Sequence, residues 1–230
     1  MQLILLDTRY HRDPFLPNTN DNEFNLVPPE APFKPSTASS QQMLSPRQWS
    51  WLSKVLREED VQLRFLVSSI QVLNDGTGFE AWRHLPKERD RLFRMLRNLC
   101  NSPIFLFSGD RRMGAFYQFD FEPDNVTSRS IISRESLVEV TSSSFTHTIP
   151  YGAFSNCTDP ATCDEADPNR ISDLVRENNF ATIDLDWDNG NLTLALRRAE
   201  TPPGFLYHGS NHETILSAGQ ILQSRSYQFL

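Results

Sequence analysis

Three short apolar runs, separated by two amphipathic segments, constrain the fold of this chain more than any other feature. Residues 3–6 and 104–107 are apolar runs of strand length, residues 63–72 are mainly apolar, and the three segments predict buried strands, the first of them fully buried. Ser45 and Pro46 have the residue types of an N-cap and a first helical position, so they predict the start of a helix. Residues 86–99 have the periodicity of a second helix. Strand, helix, strand, helix, strand is the order of an α/β fold.

The pattern changes after residue 113. Residues 114–121, 137–141, 180–187 and 192–197 are strand-like, and several of them alternate between apolar and polar residues. We predict that these segments form a run of antiparallel strands that closes a second sheet. Residues 17–46 are rich in proline, asparagine and serine and predict a long surface loop, whereas residues 200–230 are a weakly patterned tail.

The charge balance excludes two classes of partner. Lys and Arg number 22 and Asp and Glu number 29, which gives a net charge of −7. A protein that binds nucleic acid through its backbone, or an anionic membrane, needs a basic surface, so neither partner is expected. No apolar run approaches the roughly 20 residues of a membrane-spanning helix, so no membrane span is expected either.

Cysteine usage and the first residues bear on the compartment. Cys157 and Cys163 bracket a polar loop, and their spacing allows either a local disulfide or two reduced thiols. Met1-Gln2 runs directly into an apolar run, without the basic and small-residue segments of a signal peptide. We therefore expect no signal peptide in this chain.

Polar residues cluster where the predicted strands end. The clusters are Asp7-Thr8-Arg9, Ser68-Ser69 with Gln71, and Ser108-Gly109-Asp110-Arg111-Arg112. Functional groups of α/β sheets collect at the carboxyl ends of strands, and Asp110, placed after a glycine, has the chemistry of a metal or phosphate site. Arg111 and Arg112 could then hold a phosphate. The alternative is that Asp110 caps the following turn while both arginines are solvated.

Other polar residues have two readings each. His208 and His212 have the spacing of a metal site on a helix, but the residues between them favour a solvated loop. Asp184, Asp186 and Asp188 could bind calcium or form an acidic turn that faces water. Serines 68, 69 and 142–144 lack the Gly-x-Ser-x-Gly pattern of a serine hydrolase.

Several of these blocks together resemble those of the PhoD-like, or alkaline phosphatase D, metallophosphatases. The blocks are Leu5-Leu6-Asp7-Thr8-Arg9-Tyr10, Ser68-Ser69-Ile70-Gln71-Val72, Trp82 with Pro86, Glu88 and Arg89, Ser108-Gly109-Asp110-Arg111, Thr141-Ser142-Ser143 with Thr146-His147, and Glu177-Asn178-Asn179-Phe180 leading to Asp184-Leu185-Asp186-Trp187. The resemblance runs from about residue 3 to about residue 197, and the blocks occur in the order found in the family.

The resemblance implies a metal-dependent hydrolase of phosphate monoesters and diesters. Its fold class would be α/β, a metallophosphoesterase-like two-sheet sandwich flanked by helices. The family suggests calcium and iron as cofactors, a phosphate ester as substrate, and a periplasmic or secreted location. Asp110 matches a metal-ligand position of the family's Ser-Gly-Asp-x-His motif, and His147 lies in a block near the site. The histidine of that motif is replaced by Arg112, whose guanidinium stays protonated and cannot bind a metal.

In the family, the first metal-binding blocks come upstream of the residues that match this chain. Residues 1–199 are therefore expected to be the carboxyl-terminal portion of a PhoD-like domain, incomplete at its N-terminus, with the missing N-terminal part of the same domain as partner. We expect little or no phosphatase activity from the chain alone, and an open sheet edge that favours association. The alternative is an inactive remnant that serves as a binding or interaction module.

Overall fold

The computed structural model describes residues 1–18, 32–121, 135–148, 167–199 and 219–229. The described strands and helices follow one another in the order β1 (Gln2–Leu5), β2 (Leu16–Pro17), β3 (Phe33–Lys34), α1 (Pro46–Leu56), β4 (Arg64–Val67), a short 3-10 helix (Trp82–His84), α2 (Pro86–Leu99), β5 (Ile104–Ser108), β6 (Gly114–Asp120), β7 (Ser136–Ser142), β8 (Asn179–Asp186), β9 (Asn191–Arg198) and β10 (Ile221–Gln228).

The main sheet has five strands in the order β1-β4-β5-β7-β6. β1, β4, β5 and β7 are parallel to one another, and β6 is antiparallel to β7 at the edge. A mixed sheet with α1 between β1 and β4 and α2 between β4 and β5 confirms the α/β class that the apolar runs predict. The four parallel strands end at the same edge of the sheet, and the candidate site is built there.

Two strand predictions are corrected by the sheet order. Residues 114–121 and 137–141 are strands, but they join the main sheet instead of a second one. The second sheet is antiparallel and consists of β10-β9-β8. Apolar–polar alternation identifies a strand without identifying its neighbour, because pairing is set by contacts distant in sequence. The tail, whose sequence is only weakly patterned, contributes β10.

β4 is also shorter than residues 63–72, the predicted strand. It ends at Val67, because the Ser68 hydroxyl bonds the Ile70 carbonyl at 2.6 Å and accepts from the Ile70 N–H at 3.3 Å, which turns the chain. This local side-chain bonding competes with the sheet and releases the following residues from it.

Both predicted helices are present with the expected starts. The Ser45 hydroxyl accepts the Gln48 N–H at 3.2 Å, and Pro46 occupies the first turn of α1. Trp49, Leu52 and Leu56 form the buried face of α1, and Leu92, Phe93 and Leu96 are among the buried residues of α2. In the described residues, no helix is long and apolar enough to cross a membrane.

Two apolar cores cover the two faces of the main sheet. One core contains Ile4, Leu66 and Leu106 from the sheet together with the buried residues of both helices. The other contains Phe65 and Phe105 from the sheet together with apolar residues of β9, among them Leu192, Leu194 and Leu196. The main sheet therefore lies between a helical layer and the second sheet.

β1 is an exception to this coverage. Ile4 is buried, but Leu3 and Leu5 are 59% and 61% exposed on the opposite face. The prediction of a fully buried first strand is therefore wrong for one of its faces. β1 is the outermost strand of the main sheet, and the helices cover only the face that carries Ile4.

Candidate site at the carboxyl edge of the main sheet

Polar side chains from neighbouring strand ends meet at this edge, as the sequence predicts. The Thr8 hydroxyl, after β1, lies 2.6 Å from the Ser69 hydroxyl, after β4. The Ser108 hydroxyl, at the end of β5, lies 2.9 Å from the Thr141 hydroxyl of β7. The parallel order of the strands thus joins blocks that are far apart in the chain.

Asp110 follows β5 at this edge and has an uncommon backbone conformation. Its φ of 73° lies in the left-handed region, which few residues other than glycine adopt. Its side chain is 34% exposed, and Oδ1 accepts a hydrogen bond from Arg9 Nη2 at 3.0 Å. Partial burial raises the pKa of Asp110 above its ordinary value, and the neighbouring Arg9 opposes this shift.

Arg9 is held by two acidic groups at once. Besides Asp110, its guanidinium binds the Glu80 carboxylate, which also accepts Arg12 Nη2 at 2.7 Å. Two arginines and two acids therefore form one charged cluster at this edge of the sheet. Glu80 has no place in the sequence prediction, because it lies in an irregular segment where no periodic pattern marks its neighbours.

Asp7 fixes the chain between β1 and Arg9. Its Oδ1 accepts the backbone N–H groups of Tyr10 at 2.9 Å and Arg9 at 3.0 Å, and these bonds hold the pKa of Asp7 below its ordinary value. The Gln48 side chain of α1 accepts the Asp7 N–H at 2.8 Å and donates to the Asp7 carbonyl at 3.0 Å. Helix α1 thus positions the segment that carries Arg9.

The two arginines predicted to contact phosphate lie in different environments. Arg111 is buried to 3% exposure, and its guanidinium carbon lies 4.5 Å from the centre of the Phe79 ring. Arg112 is exposed, with a φ of 54°, and its carbonyl accepts the Thr148 hydroxyl at 2.9 Å. Of the two, Arg112 presents the more accessible cation to a ligand.

The predicted histidine and the acidic turn follow the ends of β7 and β8, respectively. His147 is exposed after β7, and its Nδ1 lies 3.2 Å from the Thr146 hydroxyl. Asp186 accepts the Asn189 N–H at 3.1 Å and its side-chain amide at 2.8 Å in the turn after β8. His208, His212, Cys157 and Cys163 fall outside the described residues.

Buried polar side chains form hydrogen bonds that fix the ends of the strands and the loop after β4. Gln71 donates to the Thr141 hydroxyl at 2.9 Å, and Trp82 Nε1 donates to the Ser68 hydroxyl at 3.0 Å. Trp82 is thus a buried anchor of the loop after β4. The Glu139 carboxylate of β7 accepts the backbone N–H groups of residues 72 and 73, and burial raises its pKa.

A cavity of about 640 Å³ lies between the carboxyl edge of the main sheet and the start of β8, and it reaches the turn after β5 at Gly109. It is lined by the hydroxyl-bearing Ser69, Ser143 and Thr146 and by the aromatic Phe107, Phe145 and Phe180, among others, and by Gly109. Its lining residues include no charged side chain. The charged cluster and this uncharged cavity are therefore neighbours around the turn that follows β5.

The described residues do not by themselves fit a metal centre. Within these ranges, no three His, Cys, Asp or Glu side chains lie together in a way that could hold an ion. Asp110 is one carboxylate, one of its oxygens accepts from Arg9, and Arg112 stands where the family motif has histidine. A two-metal centre needs several ligands around ions about 3.5–4 Å apart.

Comparisons with known proteins identify one fold. No family model matches the sequence, and no curated protein matches it. A solved structure described as "Structure of PhoD" matches with a TM-score of 0.60 and 16% sequence identity. The match covers 98% of this chain and 40% of that chain, so this chain spans less than half of the PhoD structure. The predicted resemblance to PhoD is confirmed at the level of the fold.

Proposed function

We propose that this chain contributes to the metal-dependent hydrolysis of phosphate monoesters and diesters as one portion of a PhoD-type catalytic domain. The observation that carries the proposal is the position of Asp110, which follows β5 at the edge where four parallel strands end. The fold likeness to PhoD supports the reaction class. Calcium and iron are the cofactors that the sequence resemblance suggests.

In this proposal, each residue at the edge has a separate role. Asp110 supplies one carboxylate to the metal site, and Arg9 orients that carboxylate through its 3.0 Å hydrogen bond. Arg112 contributes an exposed positive charge for the phosphate oxygens of the substrate. Arg111 and His147 remain candidates for phosphate contact and for a position near the site, respectively.

The remaining metal ligands would come from polypeptide outside these 230 residues. The matched region is 40% of the PhoD chain, so that protein has ample further sequence to supply them. A bound metal would polarise the phosphoryl oxygens and activate water. This chain's own residues would hold and orient the ester beside Asp110.

A non-catalytic binding module is the second candidate. It is favoured by Arg112 at the position of the motif histidine and by the engagement of Asp110 with Arg9. In that case the site has lost its metal chemistry, while the sheet and its polar edge persist as a surface for a partner.

Turnover of bis(4-nitrophenyl) phosphate tests the proposal. The chain is expressed alone and from the longest reading frame that contains it, each with added calcium and iron. We expect turnover only from the longer product, and we expect Asp110→Asn to abolish it. Asp120→Asn, at the opposite edge of the main sheet, is the matched control and should retain activity.

Two outcomes would contradict the proposal. Turnover by the 230-residue chain alone that Asp110→Asn abolishes would show that the ligand set is complete without further polypeptide. An inactive longer product that binds no metal, measured by elemental analysis, would favour the non-catalytic module.

A further inference from the structure

The cavity at the carboxyl edge of the main sheet has no part in the metal and phosphate roles proposed above. Its volume of about 640 Å³ lies in the range of pockets that bind small organic molecules, roughly 300–1,000 Å³. Among the described residues that line it, none carries a charge. An ionised group would lose its hydration there without gaining an opposite charge, so the cavity favours an uncharged ligand.

Three of the hydroxyl groups that line the cavity already donate within the protein. The Ser142 hydroxyl donates to Asn179 Oδ1 at 2.9 Å, and the Ser143 hydroxyl donates to the Met113 carbonyl at 3.1 Å. The Ser68 hydroxyl donates to a backbone carbonyl at 2.6 Å. A hydroxyl has one hydrogen to donate, so these groups offer no donor to a ligand. The cavity therefore disfavours a sugar or another polyol, which must replace several hydrogen bonds with water.

Aromatic rings form another part of the lining. The Phe145 and Phe180 rings are arranged edge to face, with their centres 6.3 Å apart. Phe107 lines the cavity from β5, and its ring is edge to face with that of Phe65 at 5.5 Å. Phe145 is 67% exposed, so part of its ring is open to a ligand. Aromatic rings attract one another in stacked and edge-to-face arrangements, which favours an aromatic ligand over an aliphatic one.

The turn after β5 connects the cavity to the residues proposed for metal and phosphate. Gly109 lies between two other lining residues, because a Cβ built on it would be 3.6 Å from the Ser69 carbonyl oxygen and 3.7 Å from Ser143 Cβ. Asp110 follows Gly109 directly, and Arg112 belongs to the same turn. One ester molecule can therefore place its organic group in the cavity and its phosphate at this turn.

A second contact couples the cavity to Arg112. The Thr148 hydroxyl donates to the Arg112 carbonyl at 2.9 Å. Thr148 belongs to the segment after β7 that also carries Phe145 and Thr146, which line the cavity. The positions of the Phe145 ring and of the Arg112 backbone are therefore linked by one short segment.

We propose that this cavity binds the uncharged aromatic group of a phosphate ester, and that aryl esters are the substrate class of the proposed site. The ring packs against Phe145 and Phe180, while the phosphate lies at the turn, where Arg112 supplies a positive charge. The position of the phosphate rests on the proposed function. Binding of the ring does not, because it requires neither a metal nor turnover.

Binding of two uncharged alcohols to the whole 230-residue chain tests the cavity without any reaction. 2-Naphthol presents an aromatic ring, whereas myo-inositol presents only hydroxyl groups. In NMR titrations without added metal, we expect 2-naphthol to shift the amide signals of Gly109, Ser143 and Phe180. We expect myo-inositol to leave these signals unchanged.

Matched variants separate the cavity from general attraction to aromatic side chains. Phe145→Ala removes an exposed ring from the cavity, and Trp51→Ala removes an exposed ring from α1. We expect Phe145→Ala to weaken binding of 2-naphthol roughly fivefold and Trp51→Ala to leave it almost unchanged. Circular dichroism should show that both variants are folded, because both side chains lie largely at the surface.

2-Naphthyl phosphate tests the connection between the cavity and the turn. Phe145→Ala should weaken its binding by the same factor as that of 2-naphthol, because the ring occupies the same place in both ligands. Arg112→Gln should weaken binding of 2-naphthyl phosphate alone. No loss for either ligand in Arg112→Gln, or an equal loss for both, would refute the position of the phosphate.

Two further results would overturn the proposal. The first is that 2-naphthol does not bind, or shifts only amides outside the cavity. The second is an equal loss of binding in Phe145→Ala and Trp51→Ala. These results are independent of the test of the proposed function. If 2-naphthol binds and the longer product hydrolyses no phosphate ester, the cavity assignment stands and the proposed function fails; turnover without 2-naphthol binding would have the opposite meaning.

Discussion

Glu88→Ala is expected to destabilise the chain by about 3 kcal/mol, because the Glu88 carboxylate is a buried acceptor that joins the two helices. Glu88 lies in the first turn of α2 and accepts the Met43 N–H at 2.8 Å and Trp49 Nε1 at 2.9 Å. The Leu44 N–H approaches the same oxygen at 3.4 Å. Helix α1 and the segment before it are therefore bound to α2 through one side chain.

The magnitude follows from the number of buried donors that the substitution would leave without an acceptor. A buried donor left without an acceptor destabilises a protein by about 1–3 kcal/mol. Two close donors lose their acceptor in Glu88→Ala, and the weaker Leu44 contact adds little. Trp49→Phe removes only one donor and leaves the carboxylate bonded to Met43, so it is expected to destabilise by about 1 kcal/mol. The double variant should lose less than the sum of both.

Urea unfolding followed by tryptophan fluorescence and by circular dichroism measures these differences. Asp90→Ala replaces an exposed acid on the same helix and should leave the unfolding midpoint unchanged. A loss below about 1 kcal/mol in Glu88→Ala would refute the reasoning, since the stranded donors would then be satisfied in some other way. Gln48 of α1 is hydrogen-bonded to the backbone of Asp7, so loosening of α1 in Glu88→Ala should also increase the mobility of Arg9.

Three further predictions concern titration and packing. Burial lowers the pKa of His84 to about 4, and its Nε2 lies 2.7 Å from the Phe79 carbonyl. The contribution of neutral His84 to stability is therefore present above pH 6.5 and is lost as the pH falls from 6.5 to about 4. An NMR titration that gives an ordinary histidine pKa would contradict this prediction. Burial raises the pKa of Glu139, so stability should decrease as the pH rises from the ordinary glutamate range to the folded-state pKa. Urea unfolding midpoints measured across this pH range should show the decrease in the parent chain and not in Glu139→Gln. Gly114→Ala would place a Cβ 3.0 Å from Asn179 Oδ1 and from Leu196 Cδ1, and it should destabilise the chain by about 1–3 kcal/mol. Gly109→Ala would place its Cβ 3.6 and 3.7 Å from the nearest atoms, so it should be tolerated. Equal unfolding midpoints for the two variants would contradict this prediction.

Local signals explain the parts of the fold that the sequence predicts well. A serine followed by proline, with apolar residues at helical spacing, sets the start of α1 within the chain itself. The strand ends could also be predicted, because parallel strands direct their carboxyl ends to one edge. This is why Arg9 and Asp110, 101 residues apart, were expected at the same place and are in contact.

Non-local contacts explain the parts that the sequence does not predict. β10 is mainly polar, and it becomes a strand by pairing with β9 along its length. The choice of β7 as the neighbour of β5 depends on packing between distant segments. Glu80 lies in an irregular segment, and its place beside Arg9 follows only from how the loop after β4 packs. Such placements have no periodic signal in the sequence.

The turn after β5 has a consequence for the balance between stability and chemistry. Asp110 and Arg112 both adopt left-handed backbone angles, a conformation that glycine would adopt with less strain. Asp110→Gly or Arg112→Gly is therefore expected to relax the backbone while deleting a charged group from the site. These two substitutions therefore separate the strain of the turn from the charge that it presents, because each removes a charged side chain while easing the backbone.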